Sequence, residues 1–245
     1  MDERISRELQ HDQKIAGMEK EVWGWASPAG RLRAKRRTRL LIESTSLGKG
    51  GRVLEIGCGT GVFTAEFACL NPNVVALDLS YAFMDKVRKD VDAVFVAGSA
   101  EELPFADSTF DVVVGSSVLH HLKINQALSE IYRVVRGGGL IAFAEPNMAN
   151  PQIFLQKNIP WLKTLMGDSA DETAFFRWKA ASLLEEAGFE EIRVTPYDFL
   201  HPMTPSSWIH RVEKAGLLME NIPLVREIAG SLIISARKGT DGQKG

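Results

Sequence analysis

Three glycines in the run Gly57-Cys58-Gly59-Thr60-Gly61, set two residues beyond Glu55, make a loop suited to a polar or charged ligand edge. Glycine lets the backbone approach a ligand closely, and a helix starting after such a loop presents unpaired N–H groups. The spacing is GxGxG with an acidic residue ahead of it, not the GxGxxG of a dinucleotide loop. A second carboxylate, Asp78, follows the next apolar stretch, where it can take both hydroxyls of a ribose. Farther along, His121, with His120 behind it in preference, and Glu145 are the candidate proton acceptors. An imidazole titrates near neutrality and suits general-base work, provided it reaches the proton it must remove. The competing readings are structural: a hydrogen bond beneath a ligand or helix packing for His121, and a polar loop start shaped by Pro146 for Glu145. A metal centre built from Glu145, Asn147 and Asp111 is rejected, because Asp111 begins its strand and belongs at the opposite edge of the sheet.

The elements that must position these residues alternate. Short apolar strands are expected over Arg52–Ile56, Asn73–Leu77, Ala93–Ala97, Asp111–Gly115 and Leu140–Ala144, the last entered through Gly137–Gly139. Helices are expected over Gly61–Leu70, Ala82–Lys89 and Asn125–Val135, where Leu128, Ile131, Val134 and Val135 fall at helical spacing. This βαβ rhythm with buried-type apolar strands implies a doubly wound parallel sheet with helices on both faces and right-handed crossovers. In such a sheet ligands bind outside the carboxyl ends of the strands, where Glu55, Asp78, His121 and Glu145 all fall.

Four segments are distinguished. Residues 1–47 form an N-terminal helical cap, with amphipathic helical spacing over 1–22, a break at Ser27-Pro28-Ala29-Gly30, and a second helix from about Leu32 to Leu47. Residues 48–145 hold the core βαβ region. Residues 146–177, with Pro146, Pro151, Pro160 and several aromatics, form a helical insertion or lid. Residues 178–245 complete the sheet, with a helix over Trp178–Ala187, strands over Glu191–Phe199 and Ser231–Ala236, a helix over 206–219 and a polar, frayed tail from Lys238. The aromatics Trp23, Trp25, Phe154, Trp161, Phe175, Phe176 and Trp178 either wall a pocket or, for the most part, form the core of the inserted helices.

Taken with its flanks, Val53-Leu54-Glu55-Ile56-Gly57-Cys58-Gly59-Thr60-Gly61 resembles the first motif of the class I S-adenosylmethionine-dependent methyltransferases. Further segments fit that family in order: Ala76-Leu77-Asp78-Leu79-Ser80, Gly98 through Phe105, Phe110 through Leu122, and Arg133 through Gly139. The flavour is that of the small-molecule "type 11" branch. The resemblance implies a Rossmann-like seven-stranded sheet, mostly parallel with its last strand antiparallel, and S-adenosyl-L-methionine as cofactor. It implies that Glu55 and the backbone of Gly57, Cys58, Gly59 and Gly61 hold the methionine part. Asp78 then binds the ribose, Leu79 lies against the adenine, Ser99 and Ala100 meet the adenine edge, and Ser116 offers backbone to the methionine amine. Many relatives have aspartate where this chain has Ser99, so that contact is weaker here. The reaction implied is direct in-line methyl transfer to a small-molecule acceptor at oxygen or nitrogen, with carbon a third option.

Bulk properties agree and exclude little else. In 245 residues the formal net charge is −2, which gives no global attraction to nucleic acid or anionic membrane. Cys58 and Cys69 are the two cysteines, too few for a disulfide framework or a zinc site of the CxxC type. The first thirty residues are charged, and no run approaches the roughly 18 apolar residues of a membrane span, so a cytoplasmic protein is expected. The basic run Arg31, Arg33, Lys35, Arg36, Arg37 and Arg39 is read as a solvated helix face, compensated by acidic residues upstream. It is also the support for the rival reading, an RNA methyltransferase; Gly115-Ser116-Ser117-Val118 lacks the Asn-Pro-Pro-Tyr pattern used on exocyclic amines. A non-catalytic S-adenosylmethionine-binding protein is the third reading, disfavoured by the intact loop and Asp78.

Overall fold

The computed structural model describes residues 3–7, 10, 24–48, 50–165 and 172–240. Of the helical segment expected over residues 1–22, and with it Trp23, only 3–7 and 10 lie among the described residues, and these are helical. The strands are β1 (Val53–Ile56), β2 (Val74–Asp78), β3 (Val94–Ala97), β4 (Phe110–Ser116), β5 (Val135–Pro146), β6 (Phe189–Tyr197) and β7 (Ser231–Lys238). They form one seven-stranded sheet in the order β3-β2-β1-β4-β5-β7-β6. β1 to β5 pair in parallel, and β7 runs antiparallel between β5 and β6.

The helices are α1 (Pro28–Thr45), α2 (Thr64–Leu70), α3 (Tyr81–Val87), α4 (Ile124–Val134), α5 (Pro151–Asn158), α6 (Pro160–Leu165), α7 (Arg177–Glu186), α8 (Ile209–Met219) and α9 (Pro223–Arg226). The two-residue period of the strands sorts their side chains into two cores. Val112, Val114, Ala142 and Ala144 pack with Leu41 of α1 and Phe67 of α2 on one face. Val113, Ile141 and Phe143 pack with Leu128 and Ile131 of α4 and Leu183 of α7 on the other. Burying each of the larger side chains contributes about 1.5–3 kcal/mol, so the central strands carry much of the stability.

Several boundaries differ from expectation for local reasons. The segment Ser27-Pro28 is the start of α1 and not a break: the Ser27 hydroxyl accepts from Gly30 N at 2.9 Å, and Pro28 fills a first-turn position that has no use for an N–H. β5 begins at Val135, ahead of the glycine run, which is absorbed as an irregularity with Gly138 at φ +77° and a register shift against β4. The tail stays in the sheet through Lys238, whose ammonium donates to Tyr132 O at 2.7 Å and Val135 O at 2.8 Å. α5 and α6 bury no residue, and Phe154 and Trp161 are 47% and 68% exposed, so these aromatics are not the core of the inserted helices. Phe175, in contrast, belongs to the main core. No helix among the described residues is long and apolar enough to cross a membrane.

Candidate functional site

The glycine loop leaves β1 at the carboxyl edge of the sheet. Its shape requires glycine: Gly57, Gly59 and Gly61 have φ of +72°, +47° and +71°. The loop is tied to β2 by Gly57 N to Leu77 O at 2.8 Å and Cys58 N to Leu77 O at 3.2 Å. Asp78 completes the tie, accepting from Gly59 N at 2.7 Å with one oxygen and from Ser80 N at 2.8 Å with the other. Burial raises the Asp78 pKa, with the N–H groups of Ser80 and Gly59 and the nearby His121 working against it. Cys58 is buried with Ala76 and Met84, and burial pushes its thiol up, so it offers the site backbone and no nucleophile.

Glu55 lies under this loop, buried, and burial with the like charge of Asp78 pushes its carboxyl up to about 8. Its Oε2 has no hydrogen-bond partner. A buried carboxylate oxygen without a donor is costly by itself and suits an incoming ammonium group. The residues present therefore fit the methionine end of the implied cofactor. Ser99 and Ala100 follow β3, with the Ser99 hydroxyl accepting from Glu101 N at 3.1 Å; Leu79 is half-buried beyond β2.

Ser116 is used by a residue outside the expected site. Arg37 of α1 is buried and donates to the hydroxyls of Ser116 at 3.0 Å, Ser117 at 2.9 Å, Tyr197 at 3.0 Å and Ser231 at 3.1 Å. Its guanidinium also lies 5.1 Å from the Trp25 ring centroid. Arg33 and Arg36 are spoken for as well, by Asp198 at 2.7 Å and Glu220 at 2.5 Å. Half of the basic run is thus structural, with Arg33 and Arg36 balanced by Asp198 after β6 and Glu220 after α8; the acidic residues upstream, Glu3 apart, lie outside the described residues. The helical stripe Gly30, Ala34, Arg37, Thr38, Leu41 and Thr45, which is the buried face of α1, was the signal for this.

Past β4 the chain makes a single 3-10 turn, Leu119–His121. Glu145, at the end of β5, is fully buried and accepts from Val118 N at 3.0 Å, Leu119 N at 2.9 Å and His120 Nδ1 at 2.5 Å. On its far side His120 Nε2 lies 3.3 Å from Glu172 Oε1, to which Lys157 also donates at 2.5 Å. Burial disfavours charge on His120, but Glu145 and Glu172 outweigh it and raise its pKa to about 9. Burial likewise opposes charge on Glu145, and His120 with the two N–H groups holds that carboxyl below the ordinary range. His121 is half-buried beside His120, with ring centroids 4.2 Å apart, on the side of Asp78 and Glu172. Arg4 bridges the His121 carbonyl and the Glu101 carboxylate. Asp111 sits at the opposite sheet edge, bonded to Arg52 N at 2.6 Å and Arg136 at 2.7 Å. Glu172 and Lys157 lie in the insertion, outside any motif, and sequence reasoning did not single them out.

Residues 54–143 match the family model described as "Methyltransferase domain". A Synechocystis protein described as an uncharacterized methyltransferase is 32% identical over 63% of this chain and 74% of its own. The demethylmenaquinone methyltransferase of Renibacterium salmoninarum is 37% identical over 45% of this chain, which spans 48% of that relative. A S-adenosylmethionine-dependent methyltransferase of Thermotoga maritima shares the fold, with a TM-score of 0.67 at 20% identity, over 94% of this chain and 99% of that one. With the loop, the strand order and these relatives together, the chain belongs to the class I S-adenosylmethionine-dependent methyltransferases, in their type 11 branch.

Proposed function

We propose that this chain transfers the methyl group of S-adenosylmethionine in line to an oxygen or nitrogen of a small molecule, with carbon the third option. The observation that carries the reading is the adjacency of the glycine loop and the turn after β4 at the carboxyl edge of the sheet. The glycine loop, Glu55 and Asp78 form the cofactor end, and the His120–His121 turn beyond β4 stands beside Asp78. Holding an acceptor atom about 3–3.5 Å from the methyl carbon supplies much of the rate, since the sulfonium already makes the methyl electrophilic. His121 is the proposed base for a protonated acceptor, and Glu145, having no exposed surface, acts on it only through His120 and the turn. The described part of the insertion is the proposed roof; most of the N-terminal segment also expected there lies outside the described residues. The insertion is pinned at its base by Met148 N to Phe175 O at 2.9 Å and reaches the turn through Glu172. Enclosure of that kind suits a small acceptor, and a menaquinone-type relative is consistent with one. The free thiols of Cys58 and Cys69 suit the cytoplasm, where we place the enzyme.

The acceptor class is tested by incubating the protein with methyl-labelled S-adenosylmethionine and separated cell fractions. Label is expected in the small-molecule fraction; label in tRNA or rRNA instead would overturn the reading.

Glu55 makes cofactor binding pH-dependent in a stated direction. Its folded pKa lies above the ordinary value of 4.5, at about 8. The stability it lends the cofactor-free protein is therefore present below pH 4.5 and lost as pH rises through about 8. An ammonium group seated on it favours the ionised form, so binding below that pH releases a proton. The affinity for S-adenosylhomocysteine is expected to rise by up to about tenfold per pH unit toward pH 8 and then level off. Calorimetry in buffers of different ionisation enthalpy measures both the affinity and the proton. A flat profile in wild type, or the same slope in Glu55→Gln, would remove Glu55 from the cofactor site.

A further inference from the structure

We propose that His120, His121 and Glu172 form a binding site for a divalent transition-metal cation of the zinc class, on the acceptor side of the candidate site. One donor atom from each of the three lies within 4.8 Å of the other two. His120 Nε2 and Glu172 Oε1 are 3.3 Å apart, the separation of two ligands on a tetrahedral ion with bonds of about 2.0–2.1 Å.

What stands behind the cluster distinguishes it from a chance gathering of side chains. Glu145 holds Nδ1 of His120 at 2.5 Å and is itself fixed by the N–H groups of Val118 and Leu119. A carboxylate on the far imidazole nitrogen fixes the ring's orientation and makes the near nitrogen a stronger ligand, the usual support of a metal-bound histidine. Nε2 is thereby aimed at Glu172, and nothing in the methyl-transfer chemistry requires that aim. Two imidazoles and a carboxylate match the preferences of Zn²⁺, and three protein ligands leave a coordination position open.

The charges agree. Glu145 and Glu172 flank His120, and Asp78 and Glu172 both feel His121. Lys157 of α5 now supplies a cation at Glu172, 2.5 Å away. An ion and the Lys157 ammonium therefore compete for the Glu172 carboxylate, and ligation by His120 Nε2 releases the proton that the two carboxylates favour there. An acceptor oxygen could take the open position and give up its proton more readily there. That last use rests on the methyl transfer proposed above, and with the ion bound it replaces His121 as the means of removing the proton, since a ligated imidazole has no free lone pair; the binding of the ion does not rest on it.

The test uses the purified full chain, stripped with a chelator and titrated with ZnCl2 by calorimetry and with CoCl2 by visible absorption. S-adenosylhomocysteine binding is measured beside it as the check of fold. One equivalent of Co²⁺ is expected to develop the intense bands of a four- or five-coordinate ion, which Zn²⁺ then bleaches. Glu172→Gln is expected to weaken Zn²⁺ at least tenfold and His120→Ala more, while Lys157→Met tightens it. Should His120→Ala lose S-adenosylhomocysteine binding as well, Glu172→Gln and Lys157→Met decide. The proposal is overturned if wild type takes up no ion, or if these two variants leave the affinity unchanged. Failure of the methyltransfer reading looks different: the cobalt spectrum would persist with no label transferred to any small molecule.

Discussion

Replacing Glu145 with alanine is expected to lower the free energy of unfolding by about 3–5 kcal/mol, the range for removing one partner of a buried charge pair. The side chain has no exposed surface and serves three donors: Val118 N, Leu119 N and His120 Nδ1. Alanine would leave Nδ1 of a buried imidazole and two backbone N–H groups without their acceptor. Glu145→Gln keeps an acceptor oxygen but not the charge, and its loss should be smaller, about 1–3 kcal/mol. Urea unfolding of the three proteins at neutral pH measures both steps. A loss of less than about 1 kcal/mol for alanine would mean that the network adds no more than one ordinary hydrogen bond.

Gly61→Ala is expected to destabilise the chain by about 2–4 kcal/mol, from a left-handed backbone penalty of about 1–2 and an overpacking cost of similar size. At φ +71° an added Cβ would come 2.2 Å from Cγ1 of Val87 in α3. Gly61 also closes the loop through its N–H to Cys58 O at 2.8 Å and opens α2 by accepting from Ala65 N at 3.1 Å. The strain therefore falls on the cofactor loop itself, and S-adenosylhomocysteine affinity should drop at least tenfold, about 1.4 kcal/mol. Adding Val87→Ala removes the clash but not the backbone penalty, so the double variant should recover part of the stability. Full affinity in Gly61→Ala, measured by calorimetry on folded protein, would separate this loop from cofactor binding.

The centre of the sheet was legible because its strands are buried on both faces and read as largely apolar runs, with Val112–Gly115 of β4 buried throughout. The loop was legible because its glycines are demanded locally, by backbone geometry. What could not be read depends on partners distant in sequence. Arg33 and Arg36 look solvated until Asp198 and Glu220 are brought to them. His120 and His121 are neighbours with the same chemistry, and only the 3-10 turn decides which of them meets Glu145. Glu172 sits in an irregular segment after the inserted helices, with no periodicity to mark it. Ser27-Pro28 was misjudged for a simpler reason: proline serves equally to end one segment and to start a helix.

The placement of β7 has a consequence for how the chain is made. It lies inside the sheet, between β5 and β6, although it is the last strand in chain order. α1, which is synthesised before every strand of the sheet, finds Tyr197 and Ser231 for its buried arginine only 160 and 194 residues later. Contacts of such span are slow to form, because the loop they close must be ordered first. Until Ser231–Lys238 has been synthesised, the edge of β5 stays open and the buried face of α1 lacks part of its cover. A nascent chain halted before that point would expose an unpaired, apolar strand edge, the feature by which incomplete sheets associate with one another.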